Sequence, residues 1–371
     1  MIIGIPKEIK NREFRVGLLP KHIKELVQQG HQMLVEKSAG HGVGVSDEEY
    51  VHAGATICNV SEVFEQAEMI VKVKEPQANE IEKLRPEQIL FTYLHLAPDI
   101  QQTNGLIASG VRAIAYETVT NKNGFLPLLA PMSEVAGRLA VQAAAHHLEK
   151  KQGGSGILLS GIPGVPPAKV LIIGAGIVGT SALQIAIGMG ADVTVMDKNI
   201  QRLRELDQIY GNKVRTLYAD EFGLSQLLKA SDVVIGAVLV PGGSAPKLVK
   251  KEDLKFMKNG SVIVDVAIDQ GGCFESSKPT THDEPTFIVD NVVHYCVANM
   301  PGAVPITSTH GLTNATFPYI QNIANKGFRN AVLEQDELRL GVSVYDHHLT
   351  CGAVAGSQKR PFEDIRNLLN T

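Results

Sequence analysis

No Cys-x-x-Cys pair occurs in this 371-residue chain, and its four cysteines, Cys58, Cys273, Cys296 and Cys351, are too scattered to frame a zinc site or a disulfide scaffold. Buried, reduced thiols in a cytoplasmic protein are the simplest expectation for them. A basic stripe is also missing, and the formal net charge is −4, so nucleic acid is not an expected partner. Low-complexity tracts, internal repeats and long linkers are absent, and 44% hydrophobic content marks a folding chain rather than a disordered one. The start, Met1-Ile2-Ile3-Gly4-Ile5-Pro6-Lys7-Glu8, lacks the basic flank and long apolar run of a secretory leader. One uncharged run matters: the 22 residues 170–191 are as long as a bilayer span. Five glycines and Gln184 interrupt it. A buried strand, a tight turn and a helix explain it better, and no membrane association is expected.

What is present is alternation. Short apolar runs at 2–5, 32–36, 69–74, 88–93 and 111–115 read as strands, with helical patterns at 21–29, 48–53, 78–84 and 99–109. A long helix is expected over 133–152, with Ser133 as N-cap and the Gly153-Gly154 break as its end. Five further strands follow at 170–173, 192–196, 213–217, 232–235 and 261–264, then a long helix over 312–334 and a short tail too small to fold alone. The fold class this predicts is α/β with two doubly wound domains. A Rossmann nucleotide-binding domain, residues 129–305, is inserted into a Rossmann-like catalytic domain built from both chain ends, residues 1–128 plus 306–371.

The sharpest local signal is Gly174-Ala175-Gly176-Ile177-Val178-Gly179, between an apolar strand and a helical pattern. Gly174 permits the tight turn, Gly176 lets the backbone approach a pyrophosphate, and Gly179 lets helix and strand pack closely. Asp197, 23 residues after Gly174 at the tip of the next strand, is placed to accept hydrogen bonds from ribose hydroxyls, which favours NAD over NADP. Lys198 and Arg202 nearby are basic enough to tolerate a phosphate, and Asp197 has a rival reading as the cap of the helix near Asn199. The ends of two later strands, running into Val238-Leu239 and into Val266-Ala267-Ile268-Asp269, should line the nicotinamide half. Asp269 is the favoured carboxylate there and Asp265 the alternative.

In the first part of the chain Arg15, Lys74 and His95 sit in loops after strands or beside them. Each also has a plain reading, as a solvated charge or a satisfied loop histidine. Taken with their surroundings they acquire a pattern. Gly4-Ile5-Pro6-Lys7-Glu8 with Arg15-Val16, Val71-Lys72-Val73-Lys74-Glu75-Pro76, Tyr93-Leu94-His95-Leu96, the glycine fingerprint, Val264 to Gly272, and Asn299-Met300-Pro301-Gly302 occur in that order. Together they resemble the alanine dehydrogenase family, which is related to the soluble part of proton-translocating transhydrogenase, from Met1 to about Gly341.

The resemblance implies reversible NAD-dependent oxidative deamination of L-alanine to pyruvate and ammonia, in a homo-oligomer, a hexamer by family habit. It implies that Arg15 and Lys74 hold the substrate carboxylate, the arginine by paired N–H donors. His95 would bond the amino or oxo group, and Asp269 would share its acid–base steps. Ser133, Asp197, Arg202, Val238, Leu239, Asn299 and Met300 would contact NAD. A related dehydrogenase of different substrate, or a soluble NAD-binding coupling subunit of a transhydrogenase-like system, are the alternatives. Departures from the family pattern are Val178 in the fingerprint, expected to crowd the turn, Gly17-Leu18-Leu19 behind Arg15, and Ala219 where a serine is usual. The tail from Val342 departs too; its His347-His348 pair is read as solvated, not as a metal site.

Overall fold

Most of the β-branched and aliphatic runs read from the sequence form strands buried on both faces, as central strands of a helix-covered parallel sheet are, while the edge run 213–217 stays largely exposed. A computed structural model describes residues 1–238 and 245–369. It divides into two compact units, Met1–Met132 with Val304–Thr371, and Ser133–Ala303.

The first unit carries β1 (Ile2–Ile5), β2 (Gln32–Glu36), β3 (Thr56–Cys58), β4 (Met69–Val71), β5 (Ile89–Thr92) and β6 (Arg112–Ala115). Their spatial order is β6-β5-β4-β1-β2-β3, all parallel. That is the doubly wound 3-2-1-4-5-6 order, whose crevice opens where the winding reverses, between β1 and β4. Ile3, Ile5, Met69, Ile70, Val71, Leu90 and Phe91 are all fully buried, each contributing about 1.5–3 kcal/mol of hydrophobic stabilisation.

The second unit repeats the plan with β7 (Lys169–Ile173), β8 (Asp192–Asp197), β9 (Val214–Tyr218), β10 (Val233–Gly236), β11 (Val262–Asp265), β12 (Thr286–Val289) and β13 (Val292–Tyr295). The parallel order is β13-β11-β10-β7-β8-β9, with β12 antiparallel on its edge. The uncharged run 170–191 thus resolves into β7, a glycine turn and the helix Ile177–Gly188. Among the described residues no helix is long and apolar enough to cross a membrane.

The tail belongs to the first unit: β14 (Val342–Tyr345) pairs antiparallel with β6, and β15 (His348–Leu349) pairs with β14. His347 and His348 are exposed, and the described residues hold no cluster able to bind a metal.

Two expected long helices have different boundaries. The helix expected to start after Ser133 runs from Ala130 to His147, so Ser133 lies in its first turn and is not its cap. Pro131 explains the extension, because proline is tolerated in a first turn, where its missing N–H has no intrahelical partner. The helix expected over 312–334 starts instead at Pro305 and ends at Lys326. Gly327, at φ +75°, then stops it before the separate helix Phe328–Glu334.

Candidate functional site

In the first unit the three expected residues hang from neighbouring strand ends around the reversal of winding. Arg15 follows β1, Lys74 follows β4 and His95 follows β5. They are electrostatically close: Arg15 and Lys74 both bear on Glu13, while Lys74 and His95 both bear on Glu75. Arg15 is only 2% exposed, so it is no solvated surface charge. Its Nε and Nη2 each donate to a Glu13 carboxylate oxygen at 2.6 Å, and Nη1 lies 3.1 Å from the Met132 sulfur. Burial drives Glu13 toward neutrality, but the Arg15 hydrogen bonds and charge outweigh it and hold the carboxyl down at about 2. The expected arrangement is altered in one respect: the paired Nε–Nη2 edge of Arg15 faces Glu13 within the protein.

Lys74 is placed by its backbone. Its carbonyl accepts the Thr92 hydroxyl at 2.9 Å, and the Val73 N–H before it donates to Glu8 at 2.7 Å. Glu8 itself is one arm of a buried triad with Lys72 and Glu80, at 3.2 and 2.7 Å from the lysine nitrogen. Burial acts to neutralise Lys72, yet the two carboxylates outweigh it and raise its pKa. Gly17 packs so tightly on β4 that an added Cβ would sit 2.6 Å from the Val71 carbonyl oxygen.

His95 is exposed and adopts a left-handed backbone, φ +49°. Its ring stacks on Tyr93 at 5.7 Å between centroids and 10° between planes. The Tyr93 hydroxyl is fixed on the Leu128 carbonyl at 2.6 Å, and burial pushes its pKa up.

In the second unit the glycine turn behaves as its spacing requires. Gly174 has φ +101°, and a Cβ on Gly179 would lie 1.8 Å from the Gly174 carbonyl oxygen. A Cβ on Gly176 would meet nothing within 4 Å; the space above it is open. That space belongs to a cleft of about 520 Å³ lined by Gly176, Ile177, Asp197 and Arg202 among others. An N-terminal helix end, an open glycine and a carboxylate at the next strand tip suit a dinucleotide, with pyrophosphate at the first and ribose at the last. The Asp197 carboxylate accepts the Ala175 N–H at 2.6 Å and the Asn199 N–H at 2.8 Å. Asn199, not Asp197, caps the following helix by accepting the Arg202 N–H at 3.1 Å. Arg202 clamps the turn, donating to the Ala175 carbonyl, the Thr180 hydroxyl and Glu205 at 2.7–2.9 Å.

Other expected contacts fall outside this cleft's lining. Ser133 is half-buried in its helix, Lys198 is exposed, and Val178 packs against the core of the unit instead of crowding the turn. Val238 follows β10, its side chain 3.0 Å from where a Gly174 Cβ would be. Leu239 lies outside the described residues. After β11, Val266, Ala267 and Ile268 lead to Asp269, which is exposed in a short 3-10 turn. Asp265, the alternative carboxylate, is fully buried; it accepts from the Cys273 N–H at 2.9 Å and the Ser277 hydroxyl at 2.6 Å. It folds the next loop, and Asp269 is the exposed carboxylate of the two. Asn299, at φ +63°, and buried Met300 form the turn after β13. Sequence reasoning missed Glu13, whose i, i+2 spacing to Arg15 carries no motif, and Glu134, Arg138, Thr180 and Gln184 of the cleft. The helical spacing of Ile177, Thr180 and Gln184 was the available signal for the last two.

Comparison with known proteins spans both units and extends the resemblance past Gly341, into the tail that the sequence pattern had left out. The N-terminal domain model of Alanine dehydrogenase/PNT matches residues 4–136, and its C-terminal domain model matches residues 140–352. An alanine dehydrogenase of Halomonas elongata is 56% identical over 356 residues, 96% of each chain. A solved L-alanine dehydrogenase superposes with a TM-score of 0.94 at 49% identity, covering 97% of this chain and 99% of its own. A transhydrogenase structure from Sinorhizobium meliloti, 22% identical with a TM-score of 0.82 over 94% of this chain and all of its own, shares the fold. On matches that span both units, this chain belongs to the alanine dehydrogenase/PNT family.

Proposed function

We propose that this protein is an L-alanine dehydrogenase that uses NAD to convert L-alanine reversibly into pyruvate and ammonia. The observation that carries the reading is the cluster of Arg15, Lys74 and His95 at the carboxyl ends of β1, β4 and β5, in a chain whose relatives are named alanine dehydrogenases. A pyridine nucleotide is the family's cofactor. NAD in particular is supported by Asp197, whose carboxylate repels a 2′-phosphate, and by Arg202, whose guanidinium is engaged with the turn and Glu205. Gly174, Gly176, Ile177, Val178 and Gly179 would cradle the pyrophosphate, with Ser133, Lys198, Val238, Leu239, Val266, Ala267, Ile268, Asn299 and Met300 along the rest of the molecule. When bound, the nucleotide supplies the acceptor for the hydride that leaves the substrate's α-carbon.

The protein's own residues do the rest. Arg15 and Lys74 hold the substrate carboxylate, with the Nε–Nη2 edge of Arg15 braced on Glu13. His95 bonds the amino or oxo group and moves protons as water adds at the α-carbon and ammonia departs, with Asp269 as the carboxylate of those steps. General acid–base action of this kind is worth roughly 10²–10⁴-fold in rate. His95→Ala and Asp269→Ala should each abolish turnover while nucleotide binding, followed by fluorescence, survives. A normal rate in either variant contradicts the assignment. A cytoplasmic location and a homo-hexamer belong to the same reading, the second to be decided by light scattering on the purified chain.

A further inference from the structure

We propose that Glu117 and Gln358 are positioning residues that fix the loop carrying His95, an inference that rests on the proposed role of that histidine. His95 needs holding: its φ of +49° is a left-handed conformation that is strained for a non-glycine residue. Its imidazole makes no hydrogen bond among the described residues, so the ring's direction comes from the backbone and from the face of Tyr93.

That backbone is gripped from two sides. From the turn after β6, Tyr116–Thr118, Glu117 Oε1 accepts the His95 N–H at 2.6 Å and the Leu94 N–H at 3.2 Å. Successive N–H groups converging on one carboxylate make a charge-assisted anchor. From the tail, the helix Gly352–Gln358 delivers Gln358, whose Nε2 donates to the Leu96 carbonyl at 2.7 Å and to the Thr103 hydroxyl at 2.9 Å. Gln102 completes the grip on the Leu94 carbonyl at 2.9 Å. The C-terminal segment thereby gains a duty: it closes the far side of the loop. Neither Glu117 nor Gln358 needs to touch substrate for this; both act through His95.

The test compares kcat, the KM for L-alanine and nucleotide affinity in Glu117→Ala, Glu117→Gln and Gln358→Ala, with His95→Ala alongside. Misplacing a reacting group by about 1 Å costs up to about 100-fold, so Glu117→Ala should lose about 30- to 100-fold in kcat, with alanine KM within about threefold and nucleotide affinity unchanged. Glu117→Gln keeps an oxygen in the Oε1 place and should recover at least about tenfold of that loss, and Gln358→Ala should lose about 5- to 10-fold. The proposal is overturned by an unchanged kcat in Glu117→Ala, by a glutamine variant as impaired as the alanine one, or by nucleotide affinity falling in step with kcat. If Glu117→Ala does not fold, a kcat for Gln358→Ala equal to the parent's overturns it. Wild-type turnover in His95→Ala would instead remove the histidine's role itself, whatever the other variants do.

Discussion

Glu13 shows how one residue's charge is decided by competition. Desolvation of its carboxyl favours the neutral acid, but two short hydrogen bonds from Arg15 and the cation itself reverse the balance and hold it at about 2. The sign of the linkage follows. A carboxyl whose folded pKa lies below its unfolded value contributes stability that is fully present above about pH 4.5 and is lost as pH falls toward about 2. Glu13→Gln should therefore be less stable than the parent at neutral pH, and the gap should close as the pH falls through that window. Denaturant titrations at a series of pH values measure it; a gap constant from pH 5 to pH 2 would mean that folding does not lower the Glu13 pKa. Lys74 shares that carboxylate's field, so the same charge helps to keep both cations in place.

At the scale of elements, what was legible in the sequence was what backbone geometry dictates locally. The glycine turn between β7 and its helix could be read because each glycine answers a separate demand. A Gly179 Cβ would strike the Gly174 carbonyl at 1.8 Å, whereas a Gly176 Cβ would enter open space. The two positions should then fail differently. Gly176→Ala should keep the parent's melting temperature and weaken nucleotide binding by about tenfold or more, on the order of 1.4 kcal/mol. Gly179→Ala should lower the melting temperature as well. Calorimetry and nucleotide titration together make the check, and equal thermal losses in both would contradict the division. Not legible were partnerships that the fold brings together from far apart: Glu117 with His95, Gln358 with Leu96, and the buried Lys72 with Glu8 and Glu80. No periodicity announces them, because they depend on which strand lies beside which. Helix starts were misjudged where proline opens a helix, at Pro131 and Pro305, since proline reads first as a breaker.

At the scale of the molecule, each unit repeats the same winding, strand order 3-2-1-4-5-6, and each carries its proposed chemistry at the carboxyl ends of strands at the reversal or one strand away from it. In the first unit those ends bear Arg15, Lys74 and His95; in the second they bear the glycine turn after β7, Val238 after β10 and Asp269 after β11. A coupling subunit would need the nucleotide half without the first unit's cations and histidine. The most direct measurement is NADH formation by the purified full-length chain with L-alanine, beside glycine, L-serine, L-lysine and no substrate, with NADP run in parallel. Strong activity with L-alanine and NAD, and little with the other pairs, is the expected result. Nucleotide binding without turnover of any amino acid would contradict the assigned function.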